Sequence, residues 1–177
     1  MARPLRADAR ANRDALLRAA RSLYMERGPD VPLEEIAQHA GVGRATVYRH
    51  FATRDDLQFA LVAQTVEAIE RLALELPEAP ESFLKLFRQV VRLQAESISL
   101  FDLLRPHMDL PSSMAELRGR LEAAFRAPLS VAQRAGAVNA ELTPQDVRLL
   151  TSMVSSAART ETDRRRAMRL SLRLMAP

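Results

Sequence analysis

Arg44, Thr46, Tyr48, Arg49 and His50 crowd into one seven-residue stretch, RATVYRH. Two guanidiniums, two hydroxyls and an imidazole at this density form a set of donors suited to a polyanion. Arginine pairs bidentately with phosphate and with the guanine edge, and Ala45 is small and apolar enough to pack on a thymine methyl. A helix drawn through this stretch puts Val47 and Phe51 on one face and Ala45, Tyr48 and Arg49 on the other. So short a helix is marginal alone, so neighbours must hold it. Immediately upstream, Leu33, Ile36, Ala37 and Ala40 recur at i, i+3, i+4 and i+7, which predicts a second helix with one buried stripe. Ala40-Gly41-Val42-Gly43 interrupts the pattern, and Gly41 is placed to end that helix in the left-handed conformation a glycine adopts without steric cost. Helix, turn and helix over about 32–51, with donors outward, is the layout of a helix-turn-helix DNA reader. In the major groove Arg44 and Arg49 are expected at guanine edges and Ala45 at a thymine methyl. Thr46, Tyr48 and His50 suit phosphate oxygens, as does Arg54 in the next helix. The competing reading has Tyr48 and His50 pack against the first helix and the turn.

The run IAQHAGVGRATVYRHFATRDDL resembles the DNA-binding signature of the TetR family of bacterial transcriptional regulators. Upstream, RDALLRAA over 13–20 resembles the family's first helix, and Gly28 and the Ile36-Ala37 pair match as well. The resemblance covers about the first third of the chain. Two positions depart from it. Gly43 stands where the family has Ser or Thr before the recognition helix, a change worth only a few tenths of a kcal/mol as an N-cap. Pro32 stands where the family often has a capping hydroxyl, leaving Asp30 or the backbone to cap. The family commonly has lysine at the position of Arg54.

The resemblance implies an all-α fold. A three-helix DNA-binding domain with the helix-turn-helix would join, through a long fourth helix, a helical C-terminal domain for effector binding and dimerisation. It also implies a homodimer on pseudo-palindromic double-stranded DNA, with half-sites about one helical turn apart or a multiple of it. The expected activity is a repressor released from its operator by a small-molecule effector of unknown identity. The alternative is a DNA-binding regulator with no small-molecule ligand, controlled by a protein partner or constitutive.

Composition narrows the remaining classes. The chain has 177 residues, 47% of them hydrophobic, enough for one compact domain or two small ones. There is no cysteine, so disulfides and thiolate metal sites are excluded. His39, His50 and His107 are the only histidines and none has metal-ligand spacing to another. No nucleophile elbow, phosphate loop or dinucleotide fingerprint occurs. No enzyme, cofactor or metal is therefore expected. The charged start and the lack of a long apolar run predict a cytoplasmic protein with no membrane partner. Net charge is +4 from 26 basic and 22 acidic residues, which favours acidic partners.

Amphipathic patterning predicts helices almost throughout. An arm over 1–11 precedes a first helix from about Asn12 to Arg27. Arg3, Arg6 and Arg10 of that arm suit an adjacent minor groove, or form a solvated tail. A Thr53-x-x-Asp56 capping box starts a long helix to about Leu76, with Val62, Val66, Ile69, Ala73 and Leu76 as its buried stripe. Domains are assigned to 1–56 and 57–177, so the boundary falls within the long helix. Further helices are expected near 81–94, 96–105, 112–135, from Thr143 with its Pro144, and 160–174. Phe83, Phe87, Phe101, Met108 and Phe125 either line an effector pocket, with His107 to orient a ligand, or fill the core. Val147, Leu150, Met153, Val154 and Ala157, with Leu170 of the last helix, either form the dimer face the resemblance implies or an intramolecular core. Arg164, Arg165 and Arg166 read as a solvated or salt-bridged face.

Overall fold

The computed structural model describes residues 3–95, 112–157 and 160–177. Within them the chain is helical, with no strand: α1 Arg3–Arg27, α2 Leu33–His39, α3 Arg44–His50, α4 Arg54–Glu75, α5 Pro80–Ala95, α6 Ser112–Arg134, α7 Pro144–Ala157 and α8 Glu161–Leu174. Two compact units, Met1–Ala63 and Gln64–Pro177, divide inside α4.

In the first unit, Leu16, Leu17, Ala20, Leu23 and Tyr24 of α1 are buried, as their spacing predicts. Leu33, Ile36 and Ala37 of α2, Val47 of α3, Phe51, and Leu57 and Leu61 of α4 complete the core. Gly28 ends α1 at φ +85° and Gly41 ends α2 at φ +69°. The Val42 amide then reaches back to the Ala37 carbonyl at 3.0 Å, satisfying an orphan acceptor of the helix end. Thr53 and Asp56 close the predicted capping box, with the Asp56 amide 3.1 Å from Thr53 Oγ1 and the Thr53 amide 2.9 Å from Asp56 Oδ2. The arm is a correction: α1 begins at Arg3, so Arg3, Arg6 and Arg10 belong to a helix. The segment alternates Ala with Arg and Asp, which are tolerated or favoured in helices, and its one proline lies in the first turn, where the missing N–H costs nothing.

The second unit packs α5 against α6 and α7, α6 against α7, and α7 against α8. Its core holds Phe83, Leu86, Phe87 and Val90 of α5, Leu121 and Phe125 of α6, and Val147 and Val154 of α7. The Phe83 and Phe125 rings meet edge to face, 6.3 Å between centroids. A buried polar bridge crosses this core: Gln94 Nε2 donates to Thr151 Oγ1 at 3.2 Å, and Ser155 Oγ donates to Gln94 Oε1 at 2.9 Å. Arg148 Nε donates to Glu122 Oε1 at 2.8 Å, joining α7 to α6. On α4, Val62, Val66 and Ile69 are buried as predicted. Ala73 and Leu76 are only half-buried and border a cleft of about 200 Å³ with Pro128 and Val131 of α6. Thr143 caps α7 through Asp146, and Thr160 caps α8 through Asp163.

Two glycines give predictions of opposite sign. Gly41→Ala puts a Cβ into the left-handed region and destabilises the first unit by about 1–2 kcal/mol. Gly119 lies exposed inside α6 with open space where a Cβ would go, so Gly119→Ala stabilises the second unit by about 0.5–1 kcal/mol. Urea unfolding of both variants checks the pair, and a stabilised Gly41→Ala would contradict the assigned turn.

Candidate nucleic-acid interface

The α3 helix is positioned from beneath by the apolar core and from the side by α2. Val47 is fully buried and Phe51 nearly so, which fixes the rotation of the helix. Arg44, Ala45, Tyr48 and Arg49 are then exposed, and Thr46 and His50 are half-buried on the flanks. The sequence-predicted set therefore shares one surface of one helix. The cap of α3 is the Gly43 backbone carbonyl, which accepts from the Thr46 amide at 2.8 Å with no side-chain help.

Several of these donors are already engaged within the protein. The Tyr48 hydroxyl donates to Glu34 Oε1 at 2.6 Å, and Arg44 Nη2 lies 3.1 Å from the same oxygen. The Arg44 guanidinium also sits over the Tyr48 ring at 5.8 Å. Hydrogen bonding from Tyr48 holds the Glu34 carboxyl below its usual range, with smaller help from Arg44. In turn, the bond to the Glu34 carboxylate raises the Tyr48 phenol above its ordinary value. No local signal in the sequence marks Glu34 for this role. It meets Tyr48 only because the turn folds α2 onto α3. Neighbouring Glu35 pairs with Arg27 of α1 at 2.5 Å.

Arg54 behaves similarly. Its Nη1 donates to the Asp30 carbonyl at 3.1 Å and lies 3.3 Å from Asp30 Oδ1. Asp30 is thus turned towards α4 and does not cap α2. Pro32 occupies the N-cap with no side-chain bond, and its carbonyl accepts from the Glu35 and Ile36 amides. Glu34 and Glu35 in the first turn complement the helix dipole. Arg49 Nε makes a long bond to the Ala45 carbonyl at 3.3 Å. The His50 ring tilts against Phe51 at 6.3 Å, and Arg13 of α1 covers the Phe51 ring at 5.4 Å. Arg10 is exposed on α1.

In the second unit, Phe83, Phe87 and Phe125 are fully buried in the core. Phe101, His107 and Met108 lie outside the described residues. The predicted dimer stripe divides. Val147, Leu150 and Val154 are buried within their own domain, whereas Met153 is 61% and Leu170 52% exposed. Successive residues on a helix turn by about 100°, which carries Met153 off the Val147–Leu150–Val154 face. Leu149 and Leu174 join the exposed set. Ala157 is the last residue of α7. Among the described residues, no group of His, Asp and Glu is placed to hold a metal ion, and no helix is long and apolar enough to cross a membrane.

Two family models match this chain. Residues 16–61 match bacterial regulatory proteins of the tetR family, and residues 78–176 match the C-terminal domain of SbtR-like transcriptional regulators. An uncharacterised HTH-type transcriptional regulator of Mycobacterium bovis is 31% identical over 147 residues, covering 78% of this chain and 74% of the relative. The HTH-type transcriptional repressor BepR of Brucella suis is 28% identical over 159 residues, with the same coverage of 78% and 74%. A TetR transcription regulatory protein from Mycobacterium vanbaalenii superposes with a TM-score of 0.70 at 32% identity, covering 98% of this chain and 100% of that one. With the exposed donor face of α3 and matches that extend across both units, the chain belongs to the TetR family: it is a helix-turn-helix transcriptional regulator and not an enzyme.

Proposed function

We propose that this chain acts as a homodimeric repressor that reads a pseudo-palindromic operator with α3 and leaves it when a small-molecule effector binds the second unit. The observation that supports this reading best is the α3 surface, where Arg44, Ala45, Tyr48 and Arg49 stand outward on a helix locked by Val47 and Phe51. Arg49 and Arg44 would read guanine edges and Ala45 a thymine methyl, while Thr46, Tyr48, His50 and Arg54 would hold phosphates. The exposed Leu149, Met153, Leu170 and Leu174 supply apolar area for the partner copy. The relative BepR is called a repressor, which supports the sign of regulation. The effector can act only through different affinities for the DNA-binding and released conformations. Repression of chromosomal genes would place the protein in the bacterial cytoplasm.

A regulator with no small-molecule ligand is the second reading. It is favoured by one observation: Phe83, Phe87 and Phe125 are spent on the core.

Arginine substitutions separate base reading from phosphate holding. Arg49→Ala is expected to relax preference at one base position, by about 1–3 kcal/mol. Arg54→Ala is expected to weaken all sequences alike and to lower the slope of log affinity against log salt by about one unit. Binding titrations across a salt series check both, and uniform loss in both variants would contradict the division of roles. The Glu34 carboxylate gives a further expectation. Glu34→Gln replaces the anionic acceptor that favours the neutral phenol with a neutral amide, so the Tyr48 titration moves down towards its ordinary range. Affinity for DNA of any sequence rises several-fold, because an anion beside the phosphate path is gone. A spectroscopic pH titration and a binding titration read the two effects, and an unshifted phenol would place the Tyr48 hydroxyl elsewhere.

A further inference from the structure

The geometry points to an effector site in the groove between α5 and α8, suited to a small amphiphile with one anionic head, a carboxylate or phosphate monoester on an apolar body. The inference rests on reading the chain as an effector-responsive regulator. The groove is open to solvent and has a volume of about 430 Å³, within the range of small-molecule sites. Five arginines line it, Arg88 and Arg92 from α5 and Arg164, Arg165 and Arg169 from α8, against one carboxylate, Glu161.

Among the described residues the charge is only partly answered, and Arg92 has an interaction of its own. Glu161 pairs with Arg164 at 3.2 Å and with Arg165 at 2.9 Å. Arg88 and Arg169 have no ion pair among the described residues. The Arg164 Nε is buried with no hydrogen-bond acceptor among the described residues, whereas buried polar groups are ordinarily partnered. Val91, which is buried, and Met168, which is half-buried, give the groove an apolar floor, and arginine stems extend it. An anion would relieve the mutual repulsion of the guanidiniums while its apolar body covers Val91 and Met168. The site is also distinct from the apolar face assigned to dimerisation. Glu161, Arg164, Arg165 and Met168 recur at helical spacing on one side of α8, and Leu170 lies about 200° around the axis from Met168. Phe83, Phe87 and Phe125, read from the sequence as pocket candidates, lie fully buried in the core, so this groove moves the effector site to the surface between two helices.

Calorimetric titration of the full-length protein tests the inference, with laurate and dodecyl phosphate below their micelle concentrations, dodecyl maltoside as the uncharged control and inorganic phosphate as the headless one. Laurate or dodecyl phosphate is expected to bind once per protomer, far more tightly than either control. The double variant Arg88→Gln/Arg169→Gln is expected to lose at least tenfold in affinity while unfolding at the wild-type midpoint. The bound amphiphile is also expected to lower retention of host genomic DNA. Equal binding of dodecyl maltoside, undiminished binding by the double variant, or binding with no change in DNA retention would overturn it. DNA retention without amphiphile is measured alongside. Its absence would sink the regulator reading itself, whereas normal retention with no amphiphile binding would sink only the groove.

Discussion

A helix of seven residues makes too few internal hydrogen bonds to offset the entropy of forming it, and α3 is such a helix. Its order is borrowed. Val47 and Phe51 anchor it in the core of the first unit, Gly41 sets the direction in which the chain leaves α2, and Glu34 ties its outer edge to α2 through Tyr48 and Arg44. The rest of the first unit follows from that need. The long α1 supplies Leu16, Leu17 and Ala20 as a floor, and the first turns of α4 close the core with Leu57 and Leu61.

The same carboxylates that organise the surface also occupy it. Glu34 holds the Tyr48 hydroxyl and the Arg44 guanidinium, and Asp30 holds Arg54. These groups are largely exposed, so each pairing is worth little to stability. Their effect is on geometry: side chains with many rotamers are kept near one arrangement before a ligand arrives, which lowers the entropy lost on binding. In DNA binding a phosphate would have to compete with a carboxylate for each of them. The second unit is held by aromatic packing of Phe83 on Phe125, by the buried Gln94–Thr151–Ser155 bridge and by the largely buried Arg148–Glu122 pair.

Much of this was legible in the sequence because it is periodic or local. The buried faces of α1 and α2, the left-handed Gly41, the inward pair Val47 and Phe51, the capping pair Thr53–Asp56 and the Thr143-Pro144 helix start each depend on residues a few positions apart. What escaped depends on packing between elements. Glu34 reaches Tyr48 across a turn of unknown angle. The Val147, Leu150 and Val154 face looks the same in sequence whether it meets its own core or a partner, and α5 and α6 decide for the core. The Arg3–Arg10 segment lacks an apolar stripe, so periodicity was silent and helix propensity alone governs it. The basic groove combines side chains of α5 and α8, far apart in the chain, and arginine abundance throughout the sequence hides the cluster.

The central claim is that α3, held by its neighbours, reads a specific DNA sequence from a dimer. The most direct measurement is selection of host genomic DNA by the purified protein at fixed, near-physiological salt, followed by sequencing of what is retained. The account predicts enrichment of an inverted repeat with half-sites about one helical turn apart, or a multiple of it. Diffuse retention with no shared motif, lost as salt rises, would contradict it and reduce the α3 surface to a general polyanion contact.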